Sequence, residues 1–366
     1  MATETRFAHF PRWAAWLLLA GLAILIAAAA LQPLPISPSA PRRDAAKPSD
    51  VKLYRAIVSD VQHGKDYYAS AAAEQRARGY PTWPPQVIRE PTETMLLAGV
   101  RTDGLGWAAL IGLSLVTVAA LQRGLAHADI SPRLRLWGLV LGATGLGAAC
   151  APVAIYMHEA WACVLITLSL ALRRSDRWAL SIGAGLAACL FRETALPYLA
   201  VMAAFAAYDR RYREAAAWSV AIGLFAALFA LHLHLAAVQH RPTDLSSRGW
   251  VRFGGLNFII ATARSHALFI LAPAWTIAAA LGASVLGYLG CRDRWISRCG
   301  LTLLVYIGLF AVVGRPDNDY WGLLYAPLIS LGLAFAPVAL RDLAVRAFGA
   351  PSGNALPWQA LTSRGS

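Results

Sequence analysis

Uninterrupted apolar runs alternate along the chain with short basic breaks. Each run is long enough, or nearly so, to cross a bilayer. The runs fall at about 13–31, 104–121, 134–157, 160–172, 178–191, 194–208, 215–236, 267–290, 299–313 and 320–340. A spanning helix needs roughly 20 predominantly apolar residues, so the shorter runs predict spans whose polar ends are buried in the bundle. The runs 178–191 and 194–208 are parted only by Arg192 and Glu193, which makes that pair the least certain division in the count. The pattern predicts an all-α fold, a polytopic membrane helix bundle of about ten spans in a single integral domain over 1–340, followed by a tail at 341–366. The first run, ending in Ala27 to Ala30, has a competing reading as a signal peptide; its length of about 19 residues favours an uncleaved span.

One long polar segment, 32–103, separates the first two runs. It opens with a Pro-rich connector from Pro33 to Pro48. Leu53, Tyr54, Ile57, Val58 and Val61 then recur at three- and four-residue spacing, the period of an amphipathic helix that Gly64 stops. Asp66 is placed to cap a second short helix, Tyr67 to Arg78, closed by Gly79. A narrow apolar stripe beside a bilayer predicts helices lying along its surface or against the bundle. A Pro-rich stretch, Tyr80 to Pro85, and Arg89-Glu90-Pro91-Thr92 complete the segment, with no internal repeat and no soluble second domain.

Composition agrees with the pattern: 58% of the 366 residues are hydrophobic and only 14% charged, where a soluble globule carries about a quarter charged. The net charge of +13 raises the possibility of nucleic acid as a partner, but the basic residues sit in short clusters between apolar runs, a signature of membrane topology. Nucleic acid is excluded on that ground. With the N-terminus inside, the inner segments and Arg135 at the membrane edge hold 17 basic residues, among them Arg173-Arg174 and Arg210-Arg211. Outside the long loop, the other side holds six: Arg192, Arg241, Arg248, Arg252, Arg264 and Arg315. Positive charge retained inside predicts N-in and C-in, with 32–103 as the first external loop. None of the five cysteines lies in that loop, so no disulfide framework is expected.

The external face collects charges that are costly at a bilayer edge: Asp50 after the first run, His158-Glu159, Arg192-Glu193, and Arg315-Pro316-Asp317-Asn318-Asp319. Each needs a partner or an aqueous cavity, which makes each a functional candidate. Bland readings stand beside these. Asp50 suits a helix N-terminus, Arg192-Glu193 suits a structural ion pair, and His158 suits an interfacial position. Asp317 and Asp319 are candidate ligands for a divalent cation, or acids that merely stop a span. His232 and His234, two apart on a helix, face different directions and read as interior or interfacial residues. Trp83, Trp250 and Trp321 read as an aromatic belt.

Asp50-x-x-x-Tyr54 directly after the first run, an amphipathic helix to Gly64, a second helix and then Arg89-x-Pro91 together resemble the first external loop of GT-C glycosyltransferases. That superfamily includes the protein O-mannosyltransferases and the lipid A aminoarabinose transferases. Glu159, followed by Trp161-Ala162, resembles its second acidic position, and Gly314-Arg315-Pro316-Asp317-Asn318 with Tyr320-Trp321-Gly322 resembles the end of bacterial members. Two departures are visible: the family's frequent Asp-Glu pair is here Asp50-Val51, and no large external C-terminal domain is expected after the last span.

The resemblance implies transfer of a sugar from a polyprenyl-phosphate-linked donor to an acceptor hydroxyl, with inversion, at the outer face of a bacterial inner membrane. It implies Asp50 as general base, Glu159 as second catalytic acid, and Tyr54, Arg89, Arg192, Glu193, Arg315 and Asn318 around the substrates. A divalent cation shared between the acids is a further expectation. The donor and membrane lipid are the expected partners, with an unspecified glycan or lipid acceptor. Two other classes remain open at this point: a transporter or flippase of a lipid-linked or anionic substrate, and a non-enzymatic assembly factor.

Overall fold

A computed structural model describes residues 5–31, 50–174 and 176–349. The connector from Pro33 to Pro48 and the tail beyond Gly349 lie outside the described residues. The described chain is α-helical; two isolated bridges, Trp83 with Ser246 and Val251 with Val313, are its only β pairing.

Four helices are long and apolar enough to cross a bilayer: α1 (Arg12–Ala30), α5 (Asp103–His127), α10 (Tyr212–Ala237) and α13 (Arg294–Val312). In the order of the chain, α2 (Asp50–Gln62), α3 (Tyr67–Ala77) and α4 (Thr92–Val100) form the long segment between α1 and α5. Shorter apolar helices complete the bundle: α6 (Pro132–Thr144), α7 (His158–Leu172), α8 (Ala179–Phe191), α9 (Leu196–Tyr208), α11 (Gly255–Ala263), α12 (Ala274–Gly290), α14 (Ala326–Leu333) and α15 (Ala336–Phe348).

The apolar surface is distributed as lipid requires. On α1 and α10 large side chains such as Leu17, Ile24 and Val220 are more than 60% exposed. A water-facing helix would not carry that surface. By contrast α7, apolar all round, is buried from His158 to Ala171 and packs against α5 and α8 as the central helix. The chain is therefore an α-helical membrane protein.

The ten apolar runs do not become ten full-length helices, and the breaks have identifiable causes. At about 1.5 Å per residue, the 13 residues of α6 fall well short of the hydrocarbon thickness. Where α6 stops, Gly145 packs so closely on Pro327 that a Cβ would sit 2.2 Å from its Cα, so only glycine fits there. The chain then proceeds through two 3₁₀ turns, Gly147–Cys150 and Pro152–Tyr156. Likewise 320–340 divides into a 3₁₀ run, Pro316–Tyr325, then α14 and α15, bent by 54°. Pro327 and Pro337 each open one of these helices, where the missing N–H costs nothing. The 178–191 and 194–208 runs are two separate helices, parted at Arg192 to Ala195. Helices α4 and α11, in segments expected to be loops, are additions.

The two short helices expected between the first runs are present. Asp66 accepts a hydrogen bond from the Ala69 amide at 2.8 Å and starts α3; Gly64 (φ 82°) and Gly79 (φ 70°) end α2 and α3 in the left-handed region. Leu53 and Ile57 of α2 meet Tyr67, Ala71 and Ala72 of α3, Ile88, and Ala236 at the end of α10. The apolar stripe thus rests on the bundle, and α2 and α3 form a cover over one end of it.

Candidate functional site

Beneath that cover, charged side chains from four parts of the chain converge. Arg192, at the C-terminal end of α8, is fully buried. Its Nε lies 2.6 Å from Glu159 in the first turn of α7, and its Nη1 donates to both carboxylate oxygens of Glu193 at 2.7 Å. Arg89, just before α4, reaches Glu193 at 3.9 Å. Two guanidinium groups and two carboxylates therefore form one chain of charge at the end of an apolar bundle.

Local structure explains the positions. Arg89 cannot drift, because Tyr67 donates to its carbonyl at 2.7 Å and His232 contacts the preceding Ile88 carbonyl at 3.1 Å. The break between α8 and α9 places Arg192 and Glu193 side by side, so the structural ion pair and the functional candidate are the same feature. The Trp321 ring packs over the Arg192 guanidinium at 5.6 Å. A guanidinium stacked and paired in this way is held in orientation while its Nη2 has no hydrogen-bond acceptor among the described residues.

Two further acids enter from the covering segment. Burial, and then the Glu193 carboxylate, push Glu90 well above the usual carboxylate range. Glu90 and Glu193 hydrogen-bond through their side chains, an arrangement that favours the protonated form of Glu90 beside the Glu193 carboxylate. Burial, and then Glu159, likewise raise Glu93. Its Oε2 lies 3.1 Å from Nδ1 of His158, which is 2% exposed. The ring of Tyr54 meets the His158 ring edge-on, centroids 4.9 Å apart. Burial also lifts the Tyr54 hydroxyl, which faces Arg89, above its ordinary range.

Asp50 sits at the rim. It is exposed, is the first residue of α2, and accepts a 2.5 Å hydrogen bond from the Tyr80 hydroxyl. Tyr54 and Tyr320 lie within its electrostatic reach, so it borders the cluster without joining an ion pair there.

The structure thus brings together Asp50, Tyr54, Arg89, Glu159, Arg192 and Glu193. Arg315 and Asn318 make their hydrogen bonds and ion pair with residues other than these. Arg315 donates to the Ser247 hydroxyl and the Arg248 carbonyl, both at 3.1 Å, and pairs with Asp317 at 3.2 Å. Asn318 accepts from the Arg315 amide. With Asp317 engaged by Arg315, no three His, Cys, Asp or Glu side chains among the described residues are grouped to hold a metal ion.

Two simpler expectations changed, and a third held. Trp321 is buried against Arg192 and Phe310 rather than sitting in a belt, because the cation–π contact and the ring cluster outweigh an interfacial position. His158 is interior, against Glu93 and Tyr54. His232 and His234 do face different ways: the first is buried, the second exposed. Sequence reasoning missed Glu90, Glu93, Tyr80 and Tyr320. Acids and tyrosines in a polar loop carry no local mark that separates a solvated side chain from one folded under a cover.

Comparison with family models, with curated proteins and with solved structures finds no match to this chain.

Proposed function

We propose that this protein is a membrane glycosyltransferase that moves a sugar from a polyprenyl-phosphate donor to an acceptor hydroxyl. The observation that carries the reading is Arg89 and Arg192, held by acids under an amphipathic cover at one end of an apolar bundle, with Asp50 at the rim. The resemblance of Asp50, Tyr54, Arg89 and Glu159 to GT-C positions points the same way.

In the reaction, the acceptor oxygen attacks the anomeric carbon in line, and the bond from that carbon to the phosphate oxygen breaks. Asp50 takes the acceptor proton, since it is exposed at the rim. The departing polyprenyl phosphate carries the negative charge, and Arg89 and the open Nη2 of Arg192 balance it with charge-assisted hydrogen bonds. Glu159 and Glu193 keep both guanidinium groups in place and neutralise them before the donor arrives. The α2–α3 cover admits the lipid from the side and limits water, the competing acceptor.

The reading includes the topology implied by the basic residues: both ends cytoplasmic, about ten membrane passages with the shorter helices completing them, and the site on the periplasmic side of a bacterial inner membrane. The 54° break between Pro316–Leu333 and Ala336–Phe348 favours a second reading, transport, because discontinuous helices line many transporter sites. One assay separates the two. Membranes containing the protein are given a radiolabelled polyprenyl-phosphate sugar and an envelope extract as acceptor. Label moving into acceptor, absent from membranes lacking the protein, is the expected result. Label crossing the membrane still attached to its carrier would refute transfer.

A further inference from the structure

At the opposite, arginine-rich end of the bundle, a cavity of about 830 Å³ opens between the ends of α5 and α7 and the starts of α8 and α13. Two of the four long apolar helices end at this level, α5 at His127 and α13 at Arg294, so the mouth lies where a bilayer meets water. Its inner wall is apolar, built from Ala120, Ala171 and Leu172. Leu180 lines it too and is 74% exposed, so the wall is open on the lipid side. Trp178, half-buried, also lines the cavity, and tryptophan favours the headgroup level.

The rim carries five arginines, and their pairing leaves a surplus. Arg173 is occupied by Glu214, bonded at 3.0 and 2.9 Å. Arg294 pairs with Asp209. Asp293 also lines the cavity, its Oδ1 accepting from the Trp295 and Ile296 amides at 2.8 and 3.0 Å at the start of α13. Arg174 and Arg177 share the single carboxylate of Asp176, at 3.6 and 3.5 Å. Arg123 is exposed and has no acidic partner among the described residues. Set against Glu214, Asp209, Asp176 and Asp293, the five arginines leave a net positive charge around a pocket with an apolar wall. The first turn of α8, which no side chain caps, adds free amide groups on the same side.

We propose that this cavity binds an anionic phospholipid, its phosphate held by Arg123 and by Arg174 or Arg177, and an acyl chain leaving past Leu180. The inference rests on the membrane character of the chain and is independent of the chemistry proposed for the other end.

The test uses the full-length protein in neutral detergent and native mass spectrometry, with phosphatidylglycerol and phosphatidylcholine added in equal amounts. Phosphatidylglycerol should be retained in preference. Arg123→Gln and Arg177→Gln should each weaken its retention about fivefold, the weight of one basic residue near an anionic headgroup. Arg177 has 82% of its side chain exposed, so its variant carries the test should Arg123→Gln fold poorly. Arg213→Gln, an exposed arginine on α10 that does not line the cavity, should leave retention unchanged. Equal retention of the two lipids would overturn the proposal. So would an equal effect of Arg213→Gln, which would indicate a diffuse surface field. Inorganic phosphate displacing the lipid at comparable concentration would assign the site to a free anion instead.

Discussion

Asp50→Asn separates a catalytic role for the rim acid from a structural one. The asparagine keeps the size of the side chain, and its carbonyl oxygen accepts from Tyr80 as the carboxylate does at 2.5 Å. Asp50 is exposed and makes no ion pair among the described residues, so its removal leaves no buried charge stranded. Exposed substitutions of this kind usually change stability by no more than about 0.5 kcal/mol. What the amide cannot do is take a proton. Loss of general-base help typically slows a reaction about 10²–10⁴-fold, equivalent to about 3–5 kcal/mol of barrier. Turnover should therefore fall by that factor while the amount and melting temperature of the protein stay at the wild-type level. The assay is transfer from a radiolabelled polyprenyl-phosphate sugar, normalised to protein in the same membranes. Wild-type turnover at wild-type abundance would refute the assignment of the base. A fall in abundance that accounts for the whole loss of turnover would reassign Asp50 to the start of α2.

Arg89→Lys should raise the KM for the donor about tenfold or more, because an ammonium is a point charge and loses the planar two-point contact with phosphate; an unchanged KM in the same assay would remove Arg89 from the donor site. Stability should fall as pH rises from about 4.5, the ordinary value of Glu90, toward its raised folded value, since the folded state keeps a proton that the unfolded chain releases. Glu90→Gln should flatten that slope in melting temperatures measured across pH, and an unaltered slope would mean that the proton is held elsewhere. Single cysteines near 60, 245 and 317 should react with an impermeant reagent in intact cells while those near 128, 211 and 295 stay protected; labelling at 211 would invert the proposed topology.

How much of this was legible in the sequence depends on the range over which each feature acts. Hydrophobic period and capping are local. A helix face repeats within four residues, and a cap such as Asp66 acts within three, so α2, α3 and the apolar runs could be read directly from the chain. Membrane character was equally legible, because 14% charge and long apolar runs leave no soluble alternative. The limits of the spans were not. Gly145, where α6 stops, packs against Pro327, a contact distant in sequence that no local pattern announces. The site divides in the same way. Asp50, Glu159 and Arg192 stood out because a charge beside an apolar run is expensive wherever it sits, and Arg89 only through the resemblance of its loop to that of GT-C enzymes. Glu90 and Glu93 did not, since in a polar loop the same charge costs nothing until α2 and α3 fold over it. Only tertiary packing decided that Arg192 would meet Glu159, that Glu93 would meet His158, and that Arg315 would turn instead to Ser247 and Arg248. Those outcomes depend on distances between segments far apart in the chain, and no local pattern of residues encodes them.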